Sequence, residues 1–305
     1  MTLPRQILDF SQASGYAHKD RGFLVFDPAE GPQRRVPLDS ILSLILTSRG
    51  VSLSATLLAA LAEQGSALVV CGSNMQPISL MMPIAGNQEL TRRASAQVTM
   101  TSRQKNRLWQ AVVKEKIRAQ ATVLSLSSPD HVARLQKLAR SVKSGDPENH
   151  EAQAAQIYWP ALMGRAFRRR PEAQDANVHL NYGYAIVRAC MARAVVAAGL
   201  LPSIGLFHRG RRNPFVLVDD LMEPYRVVVD HAVYALGRDP GPLNAEAKAN
   251  LVALTHASIE QDRGMVSLAQ GCHDLATSLA LLLLGEREVL DLPRFKMLSF
   301  AAQVQ

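Results

Sequence analysis

The chain has 305 residues, 48% hydrophobic and 20% charged, a globular balance with room for one large or two ordinary domains. Its formal net charge of +8 and pI near 9.7 favour a polyanionic partner such as nucleic acid. Three scattered cysteines, Cys71, Cys190 and Cys272, argue against a disulfide framework or a structural zinc site and fit buried thiols in a reducing cytoplasm. The opening MTLPRQILDF lacks the layout of a signal peptide, and the richest apolar run, 275–284, is too short to span a membrane.

Residues 1–86 read as a small β-rich domain. Short runs at 6–10, 22–27, 41–46, 67–70 and 78–82 are separated by turn residues such as Ser14-Gly15 and Gly72-Ser73-Asn74. One helix interrupts them at 54–64, capped by Ser52 or Ser54 and stopped by Gly65. No cluster of catalytic residue types falls in this half, whose expected job is assembly. Gly86-Asn87 marks a boundary, after which the periodicity turns helical. Residues 87–305 therefore read as a larger all-α domain, and the chain as α+β. Leu108, Val112, Ile117, Ala121 and Leu124 give 95–124 a helical apolar face. Asp146 as N-cap with Pro147 at the first position opens another helix; further helices are expected at 177–198, 245–254 and 266–284.

The densest chemistry lies at 208–230, HRGRRNPFVLVDDLMEPYRVVVD. Asn213-Pro214 predicts a helix start there, which puts Asp219 and Glu223 four apart and Asp220 and Glu223 three apart on one face. Neighbouring carboxylates repel one another, so a divalent cation is a natural way to hold them together. Pro224 predicts a kink, or a helix that restarts near Glu223. On the helix opened by Asp146, Glu151 sits among Ala152, Ala154 and Ala155, with Tyr158 two turns on and its hydroxyl suited to a phosphate. In isolation an acidic face is ordinary solvated surface, His208 a loop residue and Tyr158 core. Positive charge nearby shifts that reading. Eight Lys or Arg and one acid lie between Arg92 and Arg118, followed by Arg165, Arg168, Arg169 and Arg170, then Arg209, Arg211 and Arg212.

The motifs EAQAAQIYWPAL, LNYGYAIVRACMARAVVAAGL with GLFH after it, and NPFVLVDDLMEPYRVVVD together resemble the CRISPR-associated spacer-acquisition integrase, protein one of these systems, in its type II form. The resemblance covers essentially the whole chain, with 57 positions from Glu151 to His208 and 15 from His208 to Glu223. It implies Glu151, His208 and Glu223 as catalytic metal ligands for Mg²⁺ or Mn²⁺, with Asp220 as an auxiliary acid. Asp219 has no counterpart in the pattern, and Ala152 stands where many relatives have glycine. The implied reaction is attack by the 3′-hydroxyl of a short double-stranded DNA on the repeat of a CRISPR array, one phosphodiester exchanging for another without ATP. The resemblance further implies a homodimer formed through the β-rich domain and a small protein two that bridges two dimers. Two other readings stay open from the residues: a structure-selective endonuclease acting on branched DNA with water, and a non-catalytic DNA-binding scaffold.

In this scheme Arg165, Arg168, Arg169, Arg209, Arg211, Arg212 and Tyr158 are the candidate DNA contacts. Joint replacement Arg211→Ala and Arg212→Ala is expected to weaken DNA binding and flatten its log–log salt dependence by about 0.9 per lost contact. A titration of affinity against salt checks this, and an unchanged slope removes both residues from the DNA path.

Overall fold

A computed structural model describes residues 6–10, 13–46, 48–72, 77–81, 89–210, 213–237, 239–261 and 264–297. The chain divides into two compact units, Met1–Gln88 and Glu89–Gln305. In the first, the elements in chain order are β1 (Gln6–Asp9), β2 (Gly15–Asp20), β3 (Phe23–Pro28), β4 (Arg34–Pro37), β5 (Ile41–Leu46), β6 (Val51–Leu53), α1 (Ala55–Glu63), β7 (Ala67–Cys71) and β8 (Pro77–Met81). They form two four-stranded sheets, ordered β1-β5-β7-β8 and β4-β3-β2-β6. In the first sheet β1, β5 and β7 run parallel and β8 antiparallel. In the second, β2, β3 and β4 are antiparallel and β6 joins β2 in parallel.

The five expected strand runs correspond to β1, β3, β5, β7 and β8. The three without a counterpart, β2 (GYAHKD), β4 (RRVP) and β6 (VSL), are short or rich in charge, so no apolar run marks them. Helix α1 begins where Ser54 accepts a hydrogen bond from the Leu57 N–H. Its Leu57 and Leu61 pack with Ala17, Leu24, Ile41 and Leu44 in the core of this unit.

The second unit is mostly helical: α2 (Leu90–Val98), α3 (Ser102–Ser127), α4 (Val132–Ser141), α5 (His150–Met163), α6 (Ala176–Ala197), α7 (Val216–Met222), α8 (Arg226–Ala235), α9 (Ala245–Ala253) and α10 (Leu268–Leu283). It is not all-α as expected. Strands β9 (Ser258–Gln261), β10 (Gly264–Ser267) and β11 (Phe295–Met297) form an antiparallel sheet with β9 in the centre. Val266 and Ser267, expected to open the last helix, belong to β10. Such short segments carry too few residues to show a period of two.

Helix α6 is the buried axle, packed by α7, α8, α9 and α10. Gly183 makes that packing possible: a Cβ there would lie 2.3 Å from Val229 Cγ1 on α8. Helix α3 packs against α4, α5 and the turn that links α7 to α8. The apolar face expected over 95–124 is real, with Leu108, Val112, Ile117, Ala121 and Leu124 all buried, but the segment breaks into α2 and α3. Thr101 and Gln104 form a reciprocal capping box at the break, satisfying N–H groups that a continuous helix would use internally. No helix among the described residues is long and apolar enough to cross a membrane. Cys71, Cys190 and Cys272 are buried and none is in a disulfide.

Three helices of this unit are tied together by one buried carboxyl. Tyr158 of α5 donates to Asp230 Oδ2 of α8 at 3.0 Å, and Tyr184 of α6 donates to Oδ1. Tyr158, proposed from the sequence to touch phosphate, is 0% exposed and so is a core residue with a satisfied hydroxyl. Burial raises the Asp230 pKa to about 6, the two tyrosine hydrogen bonds, Arg226 and Lys116 opposing it only in part. Because its folded pKa lies above the unfolded value, its stabilising contribution is complete below about pH 4 and fades as pH rises through 6. Asp230→Asn removes this loss. Between pH 4 and 7 the unfolding free energy of the variant is expected to gain on the parent by about 3 kcal/mol, read by denaturant titration. Parallel stability curves would contradict it.

Candidate active site

Glu151 and Glu223 come from separate elements and meet at one cation. Glu151 lies in the first turn of α5, which starts three residues later than Asp146-Pro147 suggested. Asn149, in the left-handed conformation at φ 52°, is the N-cap. Asp146 caps from outside: its carboxylate accepts the N–H groups of His150 and Glu151 at 2.9 and 3.0 Å and meets His150 Nδ1 at 3.0 Å. Glu223 sits where α7 ends. Pro224 follows it inside a single 3₁₀ turn, Glu223–Tyr225, before the chain resumes as α8, so the proline breaks the helix at the acid.

Lys116 of α3 stands between them, its Nζ 2.5 Å from Glu151 Oε1 and 2.5 Å from Glu223 Oε2. The two carboxylate oxygens are thus no farther apart than twice that distance. Arg226 Nε takes the other Glu223 oxygen at 2.9 Å. Burial alone would raise the Glu223 pKa, but Arg226 and Lys116 more than offset it and hold the carboxyl at about 2. The same partnership works in reverse on Lys116: burial disfavours its charge, and Glu223 and Glu151 raise its pKa nonetheless. Glu223 Oε2 accepts no hydrogen bond of good geometry, its contact with Lys116 being one of charge. Two carboxylates and two cations leave this cluster near neutrality. Lys116 escaped the sequence reading because it is one basic residue among eight in that segment.

His208 is placed by a different acid. Asp220 is completely buried, and its carboxylate accepts the successive N–H groups of Leu206, Phe207 and His208 at 2.6, 3.0 and 3.2 Å. It also binds His208 Nδ1 at 2.6 Å. Gly205 permits the wrap, since a Cβ there would lie 2.8 Å from Asp220 Oδ2. The hydrogen bond to Asp220 raises the His208 pKa, burial opposes, and the charges of Asp220, Glu223 and Glu151 add to the rise. Asp220 therefore orients the imidazole, its oxygens engaged by three N–H groups and the ring.

The acids of α7 do not share a partner as their spacing suggested. Asp219 pairs with Arg188 at 2.6 and 3.0 Å and with Asn213, a tie between α6 and α7. Helix α7 itself begins at Val216, because Asn213 Oδ1 accepts the Phe215 N–H in a turn ahead of the helix. Among the described residues, no three His, Cys, Asp or Glu side chains form a ready-made metal cage. The fit to a metal rests instead on the donor set and on a stand-in cation. An ammonium already occupies the place between two carboxylates, and His208 has one ring nitrogen engaged by an acid, as metal-binding histidines do.

A cavity of about 160 Å³ opens beside Glu223, lined by Lys116, Trp159, Arg169, Tyr184 and Arg226. Arg169 is held there by Asn177 and Asn181 at 2.8 and 2.7 Å and lies over the Tyr184 ring, as does Arg226. Arg165, Arg168 and Arg209 are exposed. Arg211 and Arg212 lie outside the described residues.

The fold is shared with a casposase bound to its integration product, at TM-score 0.77 and 18% identity over 95% of this chain and 93% of that one. It is shared also with a Cas1 protein from Thermotoga maritima, at TM-score 0.74 and 16% identity over 93% and 99% of the two chains. In sequence, the CRISPR-associated endonuclease Cas1 of Neisseria meningitidis serogroup C (strain 8013) is 38% identical over 237 residues, 76% of this chain and 78% of its own. A Cas1 endonuclease of Pyrobaculum aerophilum is 28% identical over 251 residues, 78% and 82% of the respective lengths. The model of the family described as CRISPR associated protein Cas1 matches residues 10–245, and the chain belongs to that family.

Proposed function

We propose that this chain is a metal-dependent DNA endonuclease and integrase that inserts short foreign DNA into a CRISPR array. The observation that carries the reading is the convergence of Glu151 and Glu223 on one cation, with charge coupling to His208. Family membership, relatives named as endonucleases and a fold shared with a casposase support it. Glu151, His208 and Glu223 would hold Mg²⁺ or Mn²⁺, and imidazole in the set favours Mn²⁺ at least equally. When bound, such an ion supplies Lewis-acid stabilisation of the charge that builds on a phosphodiester under attack.

The residues of the chain do the rest. His208 must be neutral to ligate, and Asp220 holds it in one orientation. Lys116 has to release at least one carboxylate when a metal enters, which frees its ammonium for a phosphate oxygen. Arg226 keeps Glu223 ionised throughout. The attacking 3′-oxygen forms a bond to phosphorus as the bond to the departing 3′-oxygen breaks, and the proton lost by one hydroxyl is regained by the other. Exposed Arg165, Arg168 and Arg209, with Arg211 and Arg212, hold the backbone, and Arg169 lines the cavity at the acids. The β-rich unit serves homodimer assembly, and a small CRISPR-associated protein two bridges two dimers in the cytoplasm. Solved Cas1–Cas2 assemblies, one of which shares the fold at TM-score 0.74, support that partnership. The endonuclease names of the relatives equally favour hydrolysis at the same site, for which branched DNA is the alternative substrate, and product analysis separates the two.

Strand transfer of a 3′-hydroxyl oligonucleotide into a supercoiled plasmid bearing a repeat array, with Mn²⁺ or Mg²⁺ and the purified small partner, tests the reading. Glu151→Gln and Glu223→Gln are each expected to lose at least about 100-fold while still binding DNA. Full joining by both variants would remove the two acids from the chemistry, and no joining by the parent chain, with DNA still bound, would leave only a scaffold. Removing the competing ammonium in Lys116→Met is expected to tighten Mn²⁺ binding to the DNA-free protein by about tenfold in a calorimetric titration. Unchanged or weaker binding would show that Lys116 and the metal do not share a place.

A further inference from the structure

Phe207 stands next to His208 and takes no part in the chemistry described so far. It is one of the few large apolar side chains left in solvent, 43% exposed. Its position is nevertheless rigid. The ring lies face to face on Trp109 of α3, centroids 4.6 Å apart and planes within 2°, and Trp109 is completely buried beneath it. Both rings meet the His208 imidazole edge-on, at 5.7 Å from Phe207 and 5.4 Å from Trp109. The Phe207 N–H is fastened to Asp220, the carboxylate that orients His208. With one face covered by the indole, this much exposure leaves the other face open.

A soluble fold usually buries an aromatic ring of this size or scatters it without support. Here a buried indole backs it, and a carboxylate fixes its backbone. Positive charge lies in the adjoining segments. Lys105 stands four residues before Trp109 on the same strip of α3, and Arg209 follows His208. An exposed π-face backed by a buried ring, with cations in the adjoining segments, is the arrangement that stacks a nucleobase while the backbone is gripped. We propose that Phe207 is a base-stacking platform, seating the nucleobase next to the phosphate that reacts at His208. It positions the DNA by stacking on any base, because every base offers a π-face. Phe207 is a positioning residue and makes no bond to the reacting atoms.

The inference rests on the reading that DNA reacts at this site, and the test separates the two. Oligonucleotides carrying 2-aminopurine at the 3′-terminal position, or in the middle of the duplex, are bound to chains that also carry Glu223→Gln, so that no turnover intervenes. Emission from the terminal probe is expected to be quenched with Phe207 or Phe207→Trp and released with Phe207→Leu. Affinity should fall about tenfold in the leucine variant and return to within about twofold in the tryptophan variant. The mid-duplex probe should respond alike in all three. Equal terminal-probe emission in the parent and leucine chains, or equal damage from leucine and tryptophan, would overturn the platform and leave Phe207 a packing residue. Failure of the parent chain to bind either DNA would instead refute the underlying reading of the site.

Discussion

Two ionised carboxylates pressed together in a protein interior repel one another unless a positive charge stands between them. Lys116 is that charge, and much of the second unit is arranged to deliver it. It projects from α3, which is long and lies against both α5 and the turn after α7, the elements that carry Glu151 and Glu223. The mutual support appears as opposed pKa shifts, Glu223 far below the ordinary carboxylate range and Lys116 above its ordinary value. Near-neutrality has a chemical consequence. A divalent ion entering this cluster would add charge to a balanced site, unless displacement of the Lys116 ammonium uncovered the carboxylates.

Three further acids, Asp220, Asp230 and Asp219, each have a separate partner, and together they fix the elements around the site. Asp220 gathers three successive N–H groups and an imidazole nitrogen, turning the 205–208 loop into a fixed support. Asp230 joins α5, α6 and α8 through two tyrosine hydroxyls behind the cavity. Asp219 clamps α7 to α6 through Arg188. Buried carboxylates are tolerated when their oxygens are occupied in this way. Positioning groups held so firmly favour reaction by fixing geometry before substrate arrives.

Spacing along a helix and proximity in space gave different answers for the acids. Asp219, Asp220 and Glu223 lie within five residues, yet they face Arg188, His208 and Lys116 in turn. Adjacent residues on a helix point about 100° apart, and the proline after Glu223 turns the backbone again. Glu151 and Glu223, separated by much of the unit in sequence, share a cation instead.

The sequence by itself determined the division into a β-rich and a mostly helical part and the main apolar faces, and it singled out Glu151, His208 and Glu223 as the candidate site. Those follow from period, turn chemistry and motifs, which are local in the chain or carried by resemblance. It missed β2, β4, β6 and the small sheet of the second unit, whose strands are too short or too polar to show a period. It placed two helix starts early, at Asp146 and Asn213, because side chains cap from outside the helix in ways a motif does not show. Only the tertiary structure decided that Tyr158 is core, that Asp220 holds the His208 ring, that Lys116 stands between the acids and that Phe207 is half exposed on Trp109 beside His208. Each depends on contacts between elements far apart in sequence, and no local pattern records which side chains such contacts bring together.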